Sequence, residues 1–83
     1  MITQKDAVMA AFKHLSEVMV AANQQISEVR IEEVVPIEEG KFFNVVLSYD
    51  IFGQFVFQKT REYKEFNIDA NSGVVTYMKI KKI

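Results

Sequence analysis

The hydrophobic period of this chain changes once, near residue 26, and the change limits the folds open to it. Before it, Val8, Ala11, Phe12, Leu15, Val18, Met19 and Ala22 recur at the i, i+3, i+4, i+7 spacing of an amphipathic helix. After it, Val29 and Ile31 alternate with Glu28, Arg30 and Glu32, the period of two expected of a strand. With 83 residues there is room for one domain, residues 1–83. Apolar residues make up 49% and charged residues 25%, a balance that folds rather than staying disordered.

The helix is expected over 3–22. Thr3 is its cap, with Asp6 three positions on completing a short capping box. Asn23-Gln24-Gln25 breaks the pattern. A first strand follows at about 27–35, with Pro36 at a strand end or edge because it has no N–H to donate. Glu38-Glu39-Gly40-Lys41 marks a turn. A second strand then carries Phe43, Val45, Leu47 and Tyr49 on one face and Phe42, Asn44, Val46 and Ser48 on the other. Residues 50–60 admit either a bulged extension into a third strand or a long hairpin arm. The third strand is clear from about Arg61 to Asp69, and a fourth runs from Val74 to about Lys82.

Between these last two, Asp69, Asn71 and Gly73 form a structural turn. Asp and Asn bond their own backbone, and Gly supplies a positive φ. The sum is an α+β fold: one N-terminal amphipathic helix packed on a four-stranded antiparallel β-meander.

The inventory excludes most chemistry. There is no cysteine, so a thiol nucleophile, a thiolate metal site and a disulfide framework are ruled out. The single histidine, His14, lies at the edge of the helical stripe with no triad partner at i±3 or i±4. Adjacent strand residues point to opposite faces, so neither Glu32-Glu33 nor Glu38-Glu39 chelates as it stands. Tyr49, Tyr63 and Tyr77, interleaved with Arg61, Lys64 and Lys79, read as sheet packing. No catalytic, metal-binding or cofactor-binding residue is expected, and the chain is read as no enzyme.

Charge is divided unevenly. Residues 1–50 hold four basic against eight acidic side chains, and residues 51–83 hold six against three. An acidic and a basic strand facing each other in one sheet is the plain expectation. With a net charge of -1, nucleic acid is not the expected partner. The apolar runs are too short and interrupted to span a membrane. No export signal is visible at the N-terminus, which suggests the cytoplasm if the chain is complete and an extracytoplasmic site if such a signal has been removed.

The segment Tyr63-Lys64-Glu65-Phe66-Asn67-Ile68-Asp69, the turn Ala70-Asn71-Ser72-Gly73 and the run Val74-Val75-Thr76-Tyr77-Met78 resemble the end of a PepSY-like domain. The helix start Asp6-Ala7-Val8-Met9-Ala10-Ala11 is similar to that family's opening, and residues 50–60 are longer than the family usually needs. The resemblance implies a cystatin-like sheet and a non-catalytic protein-binding or interaction module, one that binds or restrains peptidases. A fainter likeness, over Phe43 to Asp69 and the ending Tyr77-Met78-Lys79-Ile80-Lys81-Lys82, is to the gas-vesicle accessory protein O family, which implies an assembly role. A small apolar-ligand binder with its cavity between helix and sheet is a further alternative. Phe52, Phe55, Val56 and Phe57 exceed what one small core needs. They are the expected interface, with a protein partner or a second copy in a homodimer.

Overall fold

The computed structural model describes residues 1–52 and 59–82. One helix, α1 (Gln4–Ala21), is followed by four strands: β1 (Ile26–Ile37), β2 (Phe42–Phe52), β3 (Lys59–Asp69) and β4 (Val75–Ile80). They form one antiparallel sheet in the order β1-β2-β3-β4, with α1 across one face. This is the expected α+β meander.

The helix starts where the capping box places it. The Thr3 hydroxyl accepts from the Asp6 N–H at 3.1 Å, and the Asp6 carboxylate accepts from the Thr3 N–H at 3.0 Å. Those hydrogen bonds, the one from the Thr3 backbone first, hold the Asp6 carboxyl below its ordinary value. At the other end Asn23 takes a φ of 55°, its N–H bonding the Val20 carbonyl at 3.0 Å and the Gln24 N–H reaching back to Met19 at 2.9 Å. That pair of bonds closes the last turn as a Schellman motif.

Ala7, Ala11, Leu15 and Met19 are the buried side of the helix. They lie on Phe43, Val45, Leu47 and Tyr49 of β2 and on Phe66 and Ile68 of β3. Two apolar strand residues stay outside this core. Ile31 is 59% exposed and Ile80 is 63% exposed. Both belong to the outer strands, and the fully buried partners of the helix belong to the two central ones. Phe12, expected on the buried stripe, is 46% exposed, and the smaller Ala7 is buried in the core instead.

The β2–β3 pair bears on residues 50–52 and 59–60, while residues 53–58 of the expected bulge or arm lie outside the described residues. The β2–β3 register runs without a shift from Phe42↔Asp69 to Phe52↔Lys59, so among the described residues this strand pair is long and carries no bulge. The Tyr49 hydroxyl, buried within this pair, donates to Glu62 at 3.0 Å. Burial first, and then the neighbouring carboxylate, push the Tyr49 phenol upward.

β1 is irregular by contrast. Register shifts fall between Ser27 and Arg30 and between Ile31 and Glu33, and Pro36 lies within the strand opposite Phe43. As an edge strand it tolerates all three, since a missing N–H on the outer side breaks no ladder bond.

Candidate interaction edge

The sheet has two edges, and the chain treats them differently. The acidic strand β1 is one edge and the basic strand β4 is the other. An antiparallel meander of four strands keeps its first and last strands furthest apart, and the acidic and basic halves of the chain meet instead across β2 and β3, where Asp50 pairs with Arg61.

β4 is held to β3 in the register Lys64↔Ile80, Glu65↔Lys79, Phe66↔Met78 and Asn67↔Tyr77, with one shift before Ile68↔Val75. Thr76 is the extra residue there. Its hydroxyl donates to the Asn67 carbonyl at 3.0 Å and accepts from the Asn67 amide at 2.7 Å. Beyond the strand, the Lys81 N–H donates to the Tyr63 carbonyl at 2.9 Å. Backbone groups alternate in direction along an antiparallel strand. The inward bond at Lys81 therefore turns the N–H and C=O of Met78 and Ile80 away from β3.

The side chains of β4 divide by face. Val75 and Met78 pack partly against the core, on the helix side. On the opposite side, the Lys79 ammonium lies 5.2 Å from the centre of the Tyr77 ring and 3.4 Å from the Glu65 carboxylate. The Lys81 ammonium reaches the same carboxylate at 3.3 Å. Burial raises the Glu65 carboxyl, but the two ammonium groups outweigh it and hold the group below its ordinary value.

Where α1 passes the start of β4, an open cleft of about 300 Å³ is lined by Ala10, Lys13, His14, Glu17, Gly73, Val74 and Val75. His14 forms one wall, its ring edge-on to Phe66 with centroids 6.3 Å apart.

The turn leading into β4 is built as its residues require. The Asp69 carboxylate accepts the N–H groups of Asn71 at 2.8 Å and Ser72 at 2.9 Å. These bonds, Ser72 first, hold the Asp69 carboxyl below its ordinary value. Gly73 has a φ of 77°, and a β-carbon there would come within 3.5 Å of Ile2. The Ile2 N–H in turn donates to the Ala70 carbonyl at 2.8 Å, which ties the start of the helix to this turn.

A second polar cluster lies on the sheet face away from the helix. Arg61 donates to Asp50 at 3.0 Å and to the Ser48 hydroxyl at 2.7 Å, and Ser48 donates to Glu32. Glu32 is exposed on the edge strand β1 and still reaches this cluster. The register shift beside it is what turns it toward Ser48. The available signal was parity, because Ser48 and Asp50 share a face and Arg61 lies opposite Asp50. Tyr49, Tyr63 and Tyr77 do not gather on one face, since Tyr49 lies under the helix while Tyr77 is on the other side of the sheet.

Among the described residues, no three His, Asp or Glu side chains come together as a metal site. No helix there is long and apolar enough to cross a membrane. Of the expected interface residues, Phe52 ends β2 opposite Lys59, and Phe55, Val56 and Phe57 lie outside the described residues. Comparison with family models, curated proteins and solved structures finds no match for this chain.

Proposed function

We propose that this chain is a non-catalytic protein-interaction module that takes up an extended strand of a partner along the outer edge of β4. The observation that carries this reading is the inequality of the two edges. β1 is guarded by two register shifts and by Pro36. β4 turns the backbone groups of Met78 and Ile80 outward, beside exposed Val74 and Ile80. Unpaired backbone groups on a sheet edge are a template for strand addition, in which main-chain hydrogen bonds supply affinity and alternate side chains supply specificity.

The resemblance of residues 63–78 to a PepSY-like ending supports the same class of function, with a peptidase as one such partner. Self-association through Phe52, Phe55, Val56 and Phe57 would be a separate property of the chain. A small apolar ligand between helix and sheet has less support, because Leu15, Val45, Leu47 and Phe66 pack there with no exposure at all.

The test is an array of short unstructured peptides, probed with the native chain and with Ile80→Pro. Proline at 80 removes one outward N–H and leaves the ladder to β3 intact. The expected result is a set of peptides bound by the native chain and lost by a variant that melts normally. Equal binding by the two proteins, or none by the native chain, overturns the proposal.

A further inference from the structure

The two faces of β4 ask different things of a strand laid beside it. Directly opposed residues of antiparallel neighbours share a face, with β-carbons roughly 4.5–5.5 Å apart. On the helix side the neighbour would meet Val75, Met78 and Ile80. On the other side it would meet Tyr77 and Lys79, with Lys81 just beyond.

Among the described residues, the charge on that second face is not balanced from within. Lys79 and Lys81 share the single carboxylate of Glu65, and Lys82 follows, exposed. One negative charge offsets one of the two ammonium groups, so the edge keeps an excess of positive charge. A second copy of β4 fits this poorly. Antiparallel pairing about Met78 would place the Lys79 of each copy on the diagonal from the other, roughly 7–8 Å away, and would add lysines to the face while leaving its positive excess unneutralised. Lysines on an edge are a recognised guard against self-pairing. They admit a strand of the opposite charge.

The cleft beside Val74 and Val75 adds the second requirement. It opens beside the start of β4 and has room for one large side chain in its 300 Å³. Its walls include Ala10 and the two valines, and Glu17 stands there as well. Lys13 and His14 line it too, so the opposite charges of Lys13 and Glu17 give a carboxylate no net preference there, whereas an apolar side chain would cover Ala10 and the two valines.

We infer that the strand taken up by β4 alternates carboxylate and apolar side chains, the carboxylates over Lys79 and Lys81 and one apolar side chain in the α1–β4 cleft. The inference rests on the strand-addition reading and specifies the partner's chemistry.

Three labelled peptides of equal length test it by fluorescence anisotropy: one alternating Glu and Val, one alternating Lys and Val, and one alternating Glu and Ser. The native chain is expected to bind the Glu–Val peptide at least about tenfold more tightly than either of the others, and to lose affinity as salt rises. Lys79→Glu/Lys81→Glu should reverse the preference between the Glu–Val and Lys–Val peptides. Lys82→Glu lies outside the strand and leaves the Glu65 pairs untouched. It should weaken the Glu–Val peptide in the same direction by a smaller factor.

Equal binding of the Glu–Val and Lys–Val peptides, both abolished by Ile80→Pro, would overturn the acidic partner and leave strand addition standing. If no peptide binds, both fall. Should the native chain sediment as a dimer that Ile80→Pro dissolves, the occupant is a second copy and the inference is wrong.

Discussion

At the scale of single residues, the most consequential groups are the carboxylates at element ends. Asp69 organises the last turn through two backbone N–H groups, and Asp6 does the same for the helix start through Thr3. Both carboxyls lie below their ordinary value of 3.8. The stability they supply is therefore complete above that value and is lost as pH falls through their lower folded values. Asparagine at 69 can still accept both N–H bonds but cannot titrate. Asp69→Asn is thus expected to fold at neutral pH and to lose less stability than the native chain on acidification, as urea midpoints across that range would read. Parallel acid profiles for the two proteins would show that the Asp69 charge contributes nothing. This turn was legible in the sequence because Asp, Asn and Gly each favour it for a local reason. The role of Glu32 was not, because its contact with Ser48 follows from a register shift that no local pattern specifies.

At the scale of elements, the helix shows what local rules reach. Its start, its end and the buried Ala11, Leu15 and Met19 follow from spacing and capping. Its C-terminus depends on a left-handed residue, which Asn tolerates and Gly adopts freely. Asn23→Ala should lower stability by about 1 kcal/mol, and Asn23→Gly should hold or raise it. Thermal melts of the two variants check this, and equal losses would mean that the Schellman turn is not what ends α1. Strand limits were less legible. β1 continues through Pro36 to Ile37, and β4 stops at Ile80 rather than near Lys82. Pro36 is compatible with the strand only because the meander leaves β1 on an edge, which is a fact about its neighbours.

At the scale of the whole molecule, one layer of helix on one sheet leaves a thin core, so each central side chain matters. Leu15 is fully buried against the central strands. Leu15→Ala is expected to cost about 3 kcal/mol, a large part of what a domain of this size has. A urea midpoint close to the native one would mean that the helix is only loosely seated on the sheet. The same thinness explains the edges. Among the described residues nothing closes the sheet, so both outer strands have one unpaired side, and chemistry distinguishes them. β1 has its register shifts, proline and carboxylates, while β4 has lysines and two outward-facing backbone positions.

The sequence by itself determined the α+β class, the order of elements, the capped helix and the two hairpin turns that join β1 to β2 and β3 to β4. These rest on periodicity and on residues that act within a few positions of themselves. Only the tertiary structure decided which strands are edges, which apolar residues reach the core, and that Lys79 and Lys81 converge on Glu65. Those outcomes depend on which residues pairing brings opposite one another, and pairing is settled by the competition of all four strands for one helix and one sheet.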